Sequence, residues 1–97
     1  MIKEIENWYY SNCNGDWEHQ FGINIGTLDN PGWSVKIDLE GTKLEECKFE
    51  EIKNLDSEFE WIHCTVEKKK FVGHGGSNQL NNLLKIFIDW ARLNKAI

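Results

Sequence analysis

Proline is almost absent from this chain, which has one, Pro31, in 97 residues. The chain also lacks any tract rich in glycine and serine. Linkers and disordered segments are enriched in these residues, so the composition predicts one folded domain over residues 1–97. No apolar run approaches the ~20 residues of a membrane-spanning helix, and the acidic N-terminal stretch lacks a signal-like apolar core. We therefore expect a cytoplasmic protein that does not bind membranes.

Cysteine is scarce, and no two cysteines are closely paired. Cys13, Cys47 and Cys64 are an odd number, and no two of them have the short spacing of a metal-binding pair. Disulfide frameworks use even numbers of cysteines, and structural zinc sites use pairs of cysteine or histidine at short spacing. The sequence therefore predicts reduced thiols, no bound metal and no cofactor.

Basic residues are outnumbered, and the imbalance is confined to one segment. The formal net charge is −5, and residues 36–60, with nine acids and four lysines, carry all of it. Negative charge repels phosphates, so this distribution disfavours nucleic acid and anionic lipid as partners. It favours a basic partner instead, although a solvated acidic face is the plainer explanation of such a segment.

Periodicity predicts a mixture of helices and strands. Apolar residues at helical spacing predict helices over residues 2–11 and 78–94, the second capped by Ser77 or Asn78. Alternation predicts strands at 21–25, 33–39, 61–67 and 70–73, whereas residues 48–55 are ambiguous between a strand and a helical turn. The pattern indicates an α+β fold, an antiparallel four- to five-stranded meander with an N-terminal and a C-terminal helix packed on it.

The turn between the first two strands has its own signature, "LDNPGW". Pro31 presets φ near −65° at the second turn position, and Gly32 can accept a positive φ at the third. This predicts a type II turn over residues 30–33.

Two stretches could carry chemistry. In "DWEH", Glu18 and His19 could act as an acid/base or metal pair, but adjacent residues at the mouth of a strand point to opposite faces. The alternative is structural, with Trp17 anchored in the core and an acid bonding the neighbouring turn. In "VGHGGSN", which contains His74, bare amides before a helix could bind an anion, although a tight connection with positive-φ glycines explains them as well. A small metal- or acid/base-dependent enzyme using Glu18, His19 and His74 is therefore the alternative function.

The same motifs resemble the immunity protein 53 family of bacterial polymorphic toxin systems. The resemblance covers residues 8–42 and 61–91, about two thirds of the chain, and its most specific part is "WEH" followed by "TLDNPGW". It implies a small α+β protein that binds and blocks a toxin domain, without catalysis or cofactor. The family-motif residues, which we interpret as structural, are Trp17, Glu18, His19, Asp29, Asn30, Pro31, Gly32 and Trp33.

Together these features predict an immunity protein that neutralises a cognate toxin domain by occlusion; a generic protein-interaction domain is the plainer alternative. Complementary charge and a rigid surface suffice for occlusion. Tryptophans 17, 33, 61 and 90 are expected to hold the framework. An acidic surface, with Trp61 as its aromatic anchor, is expected to bind a basic toxin, for which a nuclease is one candidate. Its members are Asp38, Glu40, Glu50, Glu58, Glu60 and Trp61.

Overall fold

A computed structural model describes all 97 residues, and the chain forms three helices and five strands joined by turns and loops. In chain order these are α1 (Ile2–Asn12), α2 (Trp17–Gln20), β1 (Ile23–Leu28), β2 (Gly32–Asp38), β3 (Ile52–Asn54), β4 (Ile62–Glu67), β5 (Lys70–Gly75) and α3 (Leu80–Leu93). None of the helices has the length and hydropathy needed to cross a membrane. The predicted α+β class, with an antiparallel sheet and a helix near each end of the chain, is confirmed.

The strand order departs from the predicted meander. The sheet runs β1-β2-β5-β4-β3, so β5 lies between β2 and β4, and every neighbouring pair is antiparallel. β5 carries the fully buried Phe71 and belongs in the centre, whereas all three residues of β3 are exposed and form an edge. The ambiguous segment 48–55 thus contributes only a three-residue strand.

The core lies on one face of the sheet, under α3. The central side chains of β2, β5 and β4 on this face, among them Val35, Phe71 and Cys64, are fully buried. Phe87 of α3 packs edge to face on Phe71 and on Trp8 of α1, with ring centroids 5.3 and 5.0 Å apart, respectively. Such aromatic pairs stabilise beyond the area they bury. The aromatic contacts therefore join both terminal helices to the sheet.

The opposite face of the sheet, here called the open face, has no helix over it. Strand residues alternate between faces, so the neighbours of the buried residues point to the open face. One row across it contains Gly26, Ser34, His74, His63 and Lys53, which lie opposite one another on successive strands. The open face is therefore polar and accessible.

Gly32 does not have the predicted positive φ, and the type II turn is wrong. Only Gly15 and Gly41 among the glycines have positive φ, and Gly32 is instead the first residue of β2, opposite Leu28. A Cβ at Gly32 would lie 2.4 Å from the carbonyl oxygen of Gly75. Glycine is required there because two backbones approach closely, not because the turn is left-handed.

The start of the C-terminal helix also differs from the prediction. Gln79 occupies the N-cap of α3, and no side chain caps the helix, so neither Ser77 nor Asn78 has the predicted role. The carbonyl of Ser77 accepts a hydrogen bond from the Trp33 indole at 2.9 Å instead. This contact holds the chain entering α3 against β2.

Candidate protein-binding surface

The "DWEH" stretch is the N-cap and the first three residues of the short helix α2 rather than the mouth of a strand, so the strand geometry assumed for Glu18 and His19 is wrong. Trp17 is buried and donates its indole N–H to the carbonyl of Glu40 at 2.8 Å. The Glu18 carboxylate accepts the backbone N–H groups of Asn14 and Gly15 at 2.9 and 2.8 Å. Both carboxylate oxygens of Glu18 therefore bind the loop between α1 and α2.

The electrostatics of Glu18 agree with that role. Hydrogen bonds from its own backbone N–H and from those of Asn14 and Gly15 lower the pKa of the Glu18 carboxyl. A lowered pKa favours the ionised acceptor and opposes use as a proton donor near neutral pH. His19 and Asp16 are exposed beside it.

The glycine loop before α3 is a packing device. The N–H of Gly76 donates to the carbonyl of Trp61 at 3.0 Å. A Cβ at Gly76 would lie 1.9 Å from the carbonyl oxygen of Phe59. None of the loop glycines has positive φ. The predicted left-handed glycines are therefore wrong here, and close approach to residues 59–61 explains the glycine instead.

His74 of the enzyme alternative lies on the open face, in β5, whereas Glu18 and His19 lie in α2. No group of three or more His, Cys, Asp or Glu side chains is arranged to hold a metal ion. His74 lies opposite His63, whose Nε2 is 2.6 Å from Glu51 Oε2. Burial lowers the pKa of His74, with smaller contributions from Lys36 and His63.

The predicted acidic residues do not form one patch. Asp38 is the last residue of β2 and lies opposite Lys70 of β5, which in turn lies opposite Glu67 of β4, at one end of the sheet. Glu40 follows Asp38 by two residues at the same end. Glu58 and Glu60 lie at the opposite end, in the loop that leads to Ile62. Glu50 occupies a third position, in a groove between residues 48–52 and α3.

Two acids at the first end are paired with lysines, whereas Glu40 and Glu46 have no ion pair. Asp38 Oδ1 is 2.9 Å from Lys70 Nζ, and Asp38 also accepts the N–H of Gly22 at 2.9 Å. Glu45 Oε2 is 3.2 Å from Lys69 Nζ. The charges of Glu40 and Glu46 also act on Lys69, so lysines offset part of the negative charge at this end.

The second end is formed by residues 55–61, here called the β3–β4 loop. Asp56, Glu58 and Glu60 are exposed, no ion pair involves them, and no lysine or arginine occurs between Lys53 and Lys68. Leu55 and Phe59 are 55% and 62% exposed between these acids. Leu55 and Phe59 were not among the residues predicted for the surface, although two large apolar residues inside an acidic run are a usable signal.

Trp61 lies on the open face, as its alternation predicted, but its ring is half-buried. Atoms of the indole lie 3.4 Å from the positions that a Cβ would take at Gly32 and at Gly76. The two glycines therefore provide the surface on which the Trp61 ring rests. Trp61 thus anchors the end of the β3–β4 loop to the sheet.

These features define a small α+β domain in which one loop exposes two large apolar side chains between unpaired carboxylates. Comparison with protein families assigns it: the model described as immunity protein 53 matches residues 2–92, and the chain belongs to that family. Searches of curated proteins and of solved structures returned no match. Membership makes this an immunity protein by family, with a toxin protein as the implied partner and a non-enzymatic role suggested.

Proposed function

We propose that this protein neutralises a cognate bacterial toxin domain by occlusion, and that the β3–β4 loop is the centre of the contact. One observation supports this choice of surface. The loop combines two exposed apolar side chains, Leu55 and Phe59, with three exposed and unpaired carboxylates. Monomeric proteins rarely expose large apolar groups together unless these mark an interaction site.

The two kinds of residue have different tasks in this proposal. Interfaces derive most of their affinity from a few buried anchors, which are enriched in aromatic residues, whereas charges at the rim govern the rate of encounter. Phe59 is the anchor, and Glu58 and Glu60 on either side of it are the steering charges. Trp61, held on Gly32 and Gly76, fixes the loop's position.

The charge indicates the chemistry of the partner. A toxin that acts on nucleic acid must present a basic surface to phosphates. An acidic loop placed in such a cleft would speed association and exclude the substrate without any reaction. We therefore propose a basic, nuclease-type toxin. In this proposal Asp38, Glu40 and Glu50 add to the overall negative potential rather than to the central contact.

The test is neutralisation of the toxin encoded beside the gene for this protein. Phe59→Ser should raise the dissociation constant of the toxin complex by about 30-fold or more, because losing a hot-spot anchor costs about 2 kcal/mol of binding free energy. Leu93→Ser is the matched control, because Leu93 is 81% exposed on α3, outside the loop. Equal affinity and equal protection by the two folded variants would rule out the loop as the contact.

A further inference from the structure

β1 is an edge strand without the usual protection. Natural edge strands carry charges, proline or bulges that prevent pairing with another chain. Residues 23–28 contain no charged residue and no proline, and the register with β2 continues without a bulge from Ile23 to Leu28. The other edge, β3, has only three residues and includes Lys53. The two edges of this sheet are therefore not equivalent.

The hydrogen-bond pattern identifies which backbone groups of β1 are free. The N–H of Asp38 donates to the carbonyl of Gly22 at 3.0 Å, so Gly22 faces β2. In an antiparallel ladder alternate residues face the same neighbour. Residues 24, 26 and 28 therefore face β2 as well. The N–H and C=O groups of Ile23, Ile25 and Thr27 point away from the sheet and have no strand to bond.

Apolar side chains accompany these free groups. Ile25 is 44% exposed, and Ile23 is half-buried. Helix α1 flanks only the start of the strand, where Ile5, Glu6, Tyr9, Gly22 and Ile23 line a groove of about 360 Å³. Beyond Ile23 the α1 side of the strand is uncovered.

We propose that β1 pairs with β1 of a second copy, antiparallel, about a two-fold axis at Ile25. Ile25 then lies opposite Ile25 of the second copy, and Ile23 lies opposite Thr27. All the outward-pointing groups of the three residues meet in hydrogen-bonded pairs, and the two sheets become one continuous sheet.

Self-complementarity favours a second copy as the occupant, because the two-fold register pairs every outward-pointing backbone group of Ile23, Ile25 and Thr27. No charged residue occurs from Gln20 to Leu28, so no like charges on β1 itself oppose this pairing. The net charge of −5 lies in residues 36–60 instead. The β3–β4 loop, with Glu58 and Glu60, is at the far edge of the sheet from β1. A dimer therefore leaves both acidic loops free, and this inference does not depend on the proposed toxin contact.

The test is the molar mass in solution, measured by sedimentation over a concentration series. The wild-type chain should reach twice its 11.4 kDa. Ile25→Lys places two like charges at the two-fold axis and should raise the dimer dissociation constant at least tenfold. Ile52→Lys makes the same change on the other edge, where Ile52 is 37% exposed, and should leave the dimer intact.

Amide exchange provides a second measurement that does not depend on a variant. The N–H groups of Ile23, Ile25 and Thr27 should become protected as concentration rises, while those of residues 24 and 26 stay protected throughout. A wild-type protein that remains at 11.4 kDa at hundreds of micromolar, with no change in these amides, would overturn the proposal. So would a monomeric wild type whose toxin binding is lost in Ile25→Lys, because the edge would then belong to the toxin.

Discussion

Three tryptophan side chains, in α2, β2 and α3, hold connecting segments of this protein in place. The indole N–H groups of Trp17, Trp33 and Trp90 donate to the backbone carbonyls of Glu40, Ser77 and Lys48 at 2.8, 2.9 and 2.7 Å, respectively. Each acceptor lies in a connecting segment outside the strands and helices. A large apolar ring with one polar donor is suited to this task, because it packs on the core and fixes a loop. That accounts for three of the five tryptophans in the 97 residues.

Gly32 and Gly26 provide a matched test of close backbone approach. Gly32→Ala should lower the free energy of unfolding by about 1–3 kcal/mol, because the new Cβ would meet the carbonyl of Gly75 at 2.4 Å. Gly26→Ala, in β1, meets nothing within 4 Å and should cost nothing or stabilise by about 0.5 kcal/mol. Urea unfolding of both variants measures the difference. Equal stabilities would show that the Gly32–Gly75 approach is not a constraint.

At the level of elements, the helix α2 depends on a carboxylate for its position. Glu18 accepts two backbone N–H groups in the preceding loop, and its lowered pKa reports that the ionised form is favoured in the folded state. A carboxyl with a depressed folded pKa contributes stability above its unfolded pKa of about 4.3. That contribution is lost as pH falls through the folded pKa.

Glu18→Gln should therefore be less stable than the wild type at pH 7. The difference in the free energy of unfolding between the two proteins should narrow as pH falls from about 5 toward 3. Urea unfolding at a series of pH values measures it. Glu6→Gln is the control, because Glu6 on α1 has only an ion pair with Lys3. If the gap between wild type and Glu18→Gln stayed constant across this range, the Glu18 contacts would not carry the stability assigned to them.

Local signals predicted most elements of the fold. Period-3.6 patterns located α1 and α3, and alternation located β2 and β4. Lys68 and Lys69, both with positive φ, form the turn between β4 and β5. The insertion of β5 between β2 and β4 was missed, because strand order follows from burying Phe71 and not from any local pattern. The close approach of the Gly75 carbonyl, which requires glycine at position 32, was also not predicted, because Gly75 is distant from Gly32 in sequence.

At the scale of the whole molecule, the sequence showed which segment carries the negative charge. It did not show that the fold separates these acids into a partly lysine-paired group at one end of the sheet and an unpaired group at the other. Asp38 and Glu45 face the lysines of the β4–β5 turn, whereas Glu58 and Glu60 stand alone at the other end. That division arises because Lys69 and Lys70 fold back beside β2, a contact that composition cannot show. The unpaired acids, and Phe59 between them, are therefore the part of the candidate surface that only the fold identifies.

The central claim is that the β3–β4 loop guides a basic toxin onto this protein. The most direct measurement is the association rate constant with the toxin domain at low and at physiological ionic strength. Glu58→Lys/Glu60→Lys should slow association about tenfold or more at low salt and reduce its salt dependence, because steering charges act mainly on encounter. Glu40→Lys/Glu46→Lys changes the net charge equally at the other end and should have a much smaller effect. Equal rates for the two double variants would contradict the account.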